Sequence, residues 1–249
     1  MADVSDIEVI ASTTAHSVVD QSVVLHHHGR AVPGVVLTPE EQPPRGLILI
    51  GHGAIGDKRS AAPLYVGRVL AKRHGFAAAL IDAPLHGERV IDGVVFNDEM
   101  TPEFHAFIRE PKWNDVMVED WQAMTSATSS MVGLADDAPL GYWGLSMGCH
   151  FGLHYVAAEP RVQAAVLGLF GAYKRHLAAA AEVTCPLLFL VQWHDELFAH
   201  ESVVDLYDAF SSRQKKLAAN AGRHSSVPRA QLEETITFLA TTVGATGDR

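Results

Sequence analysis

Gly144-Leu145-Ser146-Met147-Gly148 is the stretch on which the reading of this chain turns. Upstream, Ala138-Pro139-Leu140-Gly141-Tyr142-Trp143 is short, apolar and bounded by Asp136-Asp137, and predicts a buried strand. Downstream, Cys149 to Ala158 can continue as a helix until Pro160. A serine on a sharp strand-to-helix turn is held in a strained backbone conformation that lifts its Oγ above the sheet. Glycines at 144 and 148 let strand and helix crowd together where side chains would clash. The helix that starts there aims its positive end at the same point, which favours developing negative charge.

Working outward, strand and helix patterns alternate on both sides of this turn. Ser22 to His28 and Ala31 to Thr38 read as an antiparallel pair joined at Gly29-Arg30. After a Pro-rich connector, Gly46-Leu47-Ile48-Leu49-Ile50-Gly51 is a continuous apolar run typical of a buried parallel strand. A helix over Lys58–His74, a strand over Phe76–Asp82 and a helix over Trp113–Leu134 precede the serine turn. Between Asp82 and Trp113 lies a long irregular stretch, Leu85 to Pro111. Strand Gln163–Phe170, helix Lys174–Glu182, strand Pro186–Gln192, helix Glu201–Phe210, strand Lys216–Ala219 and helix Pro228–Thr242 follow. Such alternation predicts a mostly parallel central sheet with helices on both faces. No internal repeat or break in composition marks a second domain, so residues 1–249 are expected to form one domain.

Composition narrows the class. With 48% hydrophobic and 19% charged residues among 249, the chain can bury a substantial core. A net charge of −10 gives no reason to expect a nucleic-acid partner. Met1 to Ile10 has three acidic residues and neither a basic n-region nor a continuous apolar stretch, and no apolar run reaches membrane-spanning length. The two cysteines, Cys149 and Cys185, fit neither a disulfide framework nor a zinc site, and a cytoplasmic location is expected.

A serine hydroxyl needs a base to remove its proton and a group to orient that base. Fourteen histidines are available, and order along the fold selects among them. Strand Leu187–Gln192 runs into Trp193-His194-Asp195-Glu196, and the last strand runs into Ala221-Gly222-Arg223-His224. The order Ser146, Asp195, His224 is the one used where a G-x-S-x-G turn carries the nucleophile. Glu196 is the rival acid; Asp195 is favoured because an orienting carboxylate needs a short, fixed side chain at the strand end.

At this point the chain resembles the serine hydrolases of α/β-hydrolase fold, and within them the small esterase and dienelactone-hydrolase-like group. The resemblance spans about Ser22 to Thr242. It rests on His52-Gly53, Asp82-Ala83-Pro84-Leu85-His86-Gly87, the 144–148 turn and Gly222-Arg223-His224-Ser225. Leu85 departs from the group's usual glycine, Gln192 stands where the acid loop usually has glycine, and the nucleophile is serine where dienelactone hydrolases proper use cysteine. The resemblance implies an oxyanion hole from the N–H groups of Ala54 and Met147. It also implies that His52 pins its loop and that His86 is structural, with substrate contact the minority reading.

His86, Trp193 and Phe198 are carried as candidate pocket residues, and Asp82 as a turn former. His26-His27-His28 is read as structural or solvated, because neighbouring histidines in a strand point to opposite faces and no carboxylate lies at ligand spacing. No metal and no cofactor are expected. The leading expectation is a hydrolase of small carboxylic esters, lactones or thioesters. A peptidase or C–C bond hydrolase with the same triad, and a non-catalytic ligand-binding module, stay open as alternatives. The insert at about 85–111 holds Val94, Val95, Phe96, Phe104, Phe107 and Ile108 beside Asp92, Asp98, Glu99 and Glu103, and is expected to fold over the site as a small lid.

Overall fold

The computed structural model describes residues 6–90, 96 and 101–245. Asp92, Val94, Val95, Asp98 and Glu99 of the insert lie outside the described residues. Strands β1 (Asp6–Ala15), β2 (Val18–His27) and β3 (Arg30–Pro39) precede β4 (Leu47–Gly51), helix α1 (Ala61–His74) and β5 (Ala77–Ile81). A 3₁₀ turn (Gly87–Arg89), α2 (Pro102–Arg109) and α3 (Pro111–Met131) lead to β6 (Leu140–Gly144) and α4 (Met147–Ala158). Then come β7 (Val162–Gly168), α5 (Lys174–Glu182), β8 (Leu187–Gln192), α6 (His200–Ala209), β9 (Lys215–Asn220) and α7 (Arg229–Thr242).

Among the described residues, nine strands form one sheet in the order β1-β2-β3-β5-β4-β6-β7-β8-β9. From β5 to β9 every pairing is parallel, and β1 to β3 add an antiparallel edge. Chain order reverses at β4, whose neighbours are β5 on one side and β6 on the other. Ligands of open α/β sheets bind in the crevice above such a reversal, at the carboxyl ends of the strands. Both faces are covered: Leu64, Val66 and Leu70 of α1 and Ile236 and Leu239 of α7 fill one side, and Met117, Trp121, Phe151, Tyr155 and Leu206 fill the other. Double cover is why Leu47–Gly51 and Leu140–Gly144 are buried at every position rather than at alternate ones.

Two parts of the antiparallel edge differ from the pattern-based expectation. Strand β1 was not anticipated, because it is an edge strand exposed along nearly its whole length and shows no burial alternation. The β2–β3 turn is centred one residue earlier than expected, on His28 (φ 48°) and Gly29 (φ 71°). Both residues are left-handed, as a two-residue turn matched to strand twist requires.

Where α4 packs on the sheet, Gly152 faces Tyr142 so closely that a Cβ there would lie 2.0 Å from the ring, and the Tyr142 hydroxyl donates to the Gly148 carbonyl at 2.8 Å. The buried ring has nowhere to go. Gly152→Ala is therefore expected to destabilise the fold by about 1–3 kcal/mol; an unchanged urea midpoint would contradict the packing.

Between α4 and α5, buried His150 and His176 and half-buried His154 form a cluster, with His176 Nε2 2.8 Å from His150 Nδ1. Burial lowers all three, His154 to about 4 and His176 to about 3. Unfolded imidazoles take up protons below roughly pH 6.5 while the folded ones resist, so stability is full above that value and is lost as pH falls toward 4. Tm should drop between pH 7 and pH 5, and drop less in His154→Gln; equal Tm values at both pH values would contradict this.

Candidate active site

Ser146 joins β6 to α4 with φ 57° and ψ −121°, a region that a side-chain-bearing residue occupies only under constraint. Three features impose it. A Cβ on Gly144 would lie 2.5 Å from the Gly148 carbonyl oxygen, and one on Gly148 would lie 2.8 Å from that of Gly51. Only glycines permit this approach of β4, β6 and α4. The Ser146 N–H is in turn held by the Gly168 carbonyl at 3.0 Å. The Met147 N–H, first in its helix, belongs to the donors that helix geometry leaves without an intrahelical acceptor.

The structure brings Ser146, His224 and Asp195 into line. The Ser146 hydroxyl lies 2.9 Å from His224 Nε2, and His224 Nδ1 lies 2.7 Å from Asp195 Oδ2. The carboxylate can only accept, so Nδ1 carries the proton and Nε2 is free to accept from the serine. Asp195 is fixed through its other oxygen, which accepts from the N–H groups of Leu197 (2.8 Å) and Phe198 (3.1 Å). Glu196 faces away from the imidazole. Its carboxylate accepts the His224 backbone N–H at 2.9 Å and pairs with Arg223, and the His224 N–H leads the contacts that hold it below the usual carboxylate range.

Gln192, where a glycine was the usual residue, ties the two loops together by donating to the Arg223 carbonyl at 3.0 Å. The backbones of Trp193 and His194 donate to Asn220 and Gly222 alongside it. These three hydrogen bonds tie the acid and histidine loops to each other.

On the opposite wall, His52 Nε2 accepts the Ala83 N–H at 2.9 Å, so Nδ1–H donates to the Gly53 carbonyl at 2.8 Å. Burial lowers His52 to about 4. It stays neutral and straps the loop carrying Ala54 to the end of β5. Asp82 reinforces the same region, accepting from the Lys58 and Glu88 backbones and from Lys58 Nζ at 2.8 Å. Burial alone would lower Lys58, but Asp82 and Glu88 outweigh it and raise the ammonium.

Leu85 has φ 62° at the third position of a turn that His86 N–H closes onto the Ala83 carbonyl at 3.1 Å, with Pro84 second. That is the turn geometry that favours glycine at the third position, and leucine there costs about 1–2 kcal/mol.

Two cavities open on Ser146. One, of about 230 Å³, has Ala54, Met147, Phe104, Ile108, Phe170 and Phe198 in its walls. The other, of about 470 Å³, reaches from Ala54 and His224 to Ile55, Pro63 and Leu232. Of the candidate pocket residues, Phe198 lines the first cavity and two others do not line either. His86 is buried against His52, Phe96 and Phe107, its Nδ1–H donating to the Pro84 carbonyl. Trp193 is 55% exposed with its ring against His200, because backbone pairing to β9 turns it outward.

What sequence reasoning missed in the insert is the helix α2, although Phe104 and Ile108 are among the residues expected to fold over the site. The stretch read as irregular is helical over Pro102–Arg109, capped by the Thr101 hydroxyl accepting the Phe104 N–H. Its Phe104 and Ile108 wall the smaller cavity. Thr101-Pro102-Glu103 was a readable start signal. Cys149, three residues beyond Ser146, is buried, and that burial pushes its thiol up to about 12.

A family model, the dienelactone hydrolase family, matches residues 32–223, and the chain belongs to that family. Among solved structures, a PEG-bound complex of a novel cold-adapted esterase from an Arctic intertidal metagenomic library is 32% identical, with a TM-score of 0.85 over 94% of this chain and 98% of that one. A dienelactone hydrolase from Anabaena variabilis ATCC 29413 shares the fold at 20% identity and a TM-score of 0.67, covering 91% of this chain and 97% of its own. An acetyl xylan esterase from Paenibacillus sp. R4 does so at 13% and 0.77, covering 97% and 90%. No curated protein matches the sequence. Among the described residues, no helix is long and apolar enough to cross a membrane.

The two carboxylates make unlike contacts, and their replacement should separate them. Asp195→Asn is expected to lower kcat by about 10⁴, because it offers the imidazole the wrong partner. Glu196→Gln should cost less than about tenfold, the worth of an exposed contact. Reversed magnitudes in steady-state kinetics would contradict the assignment.

Proposed function

We propose that this member of the dienelactone hydrolase family is a serine hydrolase of small carboxylic esters that works through an acyl-enzyme on Ser146, with lactones and thioesters open to the same chemistry. The observation that carries this reading is the strained Ser146 with its hydroxyl in line with His224 and Asp195. In this reading the chain works as a single domain, requires no cofactor, and, with two free cysteines, resides in the cytoplasm.

Ser146 Oγ attacks the ester carbonyl as His224 Nε2 takes its proton, and Asp195 stabilises the imidazolium. The N–H groups of Met147 and Ala54 receive the oxyanion, each supplying about 3–4 kcal/mol in the transition state. His224 then gives its proton to the departing alkoxide, leaving the acyl group on Ser146. Water, deprotonated by the same nitrogen, attacks the acyl carbon, and as the bond to Ser146 Oγ breaks His224 returns that proton to Oγ, releasing the acid and restoring the serine.

The leaving oxygen must come within reach of His224. The 470 Å³ cavity has His224 in its wall, and the 230 Å³ cavity does not. The alcohol therefore occupies the larger space and the acyl group the smaller, under Phe104, Ile108 and Phe198. That space falls below the roughly 300–1,000 Å³ of sites for drug-sized ligands. Gly53 belongs to the alcohol side, where a Cβ would meet no protein atom, so its lack of a side chain leaves room for substrate.

Acyl length should accordingly matter more than alcohol size. With acetyl, butyryl, octanoyl and palmitoyl p-nitrophenyl esters, kcat/KM is expected to peak at short or medium chains, and Ile108→Ala should move the peak toward longer ones. A maximum at palmitoyl, or a jump in rate on micelle formation, would overturn the confined acyl site.

A further inference from the structure

Neighbouring histidines at the end of a strand were expected to diverge, and His27 and His28 do not. His28 sits in the left-handed turn after β2 (φ 48°), which breaks the alternation of side chains, and the two rings come to 3.9 Å between centroids. Helix α3 supplies the carboxylate that sequence spacing could not reveal: one ligand atom each from His27, His28 and Glu119 lie within 4.8 Å of one another. Among the described residues this is the one such trio of histidine, cysteine or carboxylate side chains.

We propose that His27, His28 and Glu119 form a binding site for a zinc-class divalent cation, separate from Ser146, that fastens the β2–β3 turn to α3. Two imidazoles and a carboxylate are a donor set that suits zinc, with water completing a tetrahedron. Ligand atoms of tetrahedral zinc stand roughly 3.3 Å apart, so side-chain rotations close the present spacing. Half-burial of His27 and exposure of His28 and Glu119 leave an open path for the ion.

Glu119 is also oriented. Arg30 donates to its Oε2 at 2.8 Å, which leaves Oε1 for a metal, the kind of support that ligating carboxylates usually have. The Arg30 charge does not stand alone against the cation. Its Nε and Nη2 hold the buried Asp120, which also pairs with Arg89 at the start of the insert. The overall charge of −10 further favours cation uptake.

Isothermal titration of the purified full chain with Zn²⁺ should give one saturable site, and Co²⁺ at the same site should give the visible absorption of a tetrahedral complex. His28→Ala and Glu119→Gln should each weaken binding by more than about tenfold. His26→Ala, whose ring lies 3.8 Å from Glu8 instead, should leave binding unchanged. Circular dichroism of the metal-free variants checks that each is folded, and Zn²⁺ should raise Tm of the unmodified chain but not of the ligand variants. No saturable uptake at roughly 100 μM Zn²⁺, full binding in both ligand variants, or loss in His26→Ala would overturn the site.

Discussion

The left-handed backbone at Ser146 is the constraint on which the arrangement depends. Isolated, a serine at φ 57° and ψ −121° would relax into an ordinary conformation. It is held because β4, β6 and α4 meet through Gly51, Gly144, Gly148 and Gly152, where any side chain would strike backbone or the Tyr142 ring. The energy that sustains the strain comes from the two buried faces of the sheet rather than from the turn itself. In return, the hydroxyl stands at the helix N-terminus and above the sheet, where a base can reach it.

The other working parts are fixed by polar straps that use neutral or fully paired groups. His52 joins the loops after β4 and β5 without carrying charge, since burial lowers it to about 4. Asp82 and Lys58 neutralise each other in the same wall. Across the cleft, Gln192 and two backbone hydrogen bonds make the acid and histidine loops one unit, so that Asp195 and His224 keep their 2.7 Å contact. In the proposed mechanism such rigidity matters, because small displacements of an attacking group cost rate steeply.

The parallel part of the fold was legible because fully buried strands read as continuous apolar runs and each is followed by a helical pattern. The juxtaposition of Ser146, Asp195 and His224 was legible because order along such a fold is restrictive. What escaped reading depends on surfaces. Strand β1 is exposed on both faces and so carries no alternation to detect. Trp193 lies beside Asp195 in sequence yet faces solvent, because its backbone pairs with β9. The approach of Glu119 to His27 and His28 joins positions about ninety residues apart, through a turn whose left-handed histidine no local pattern announced.

If Ser146 is the nucleophile, a fluorophosphonate should modify it and nothing else. Intact mass spectrometry after brief treatment is expected to show one adduct per chain, and peptide mapping should place it on Ser146, with Cys149 unmodified. The Ser146→Ala protein, still folded, should remain unlabelled. An adduct on another residue, or labelling that persists in Ser146→Ala, would contradict the role assigned to the strained serine.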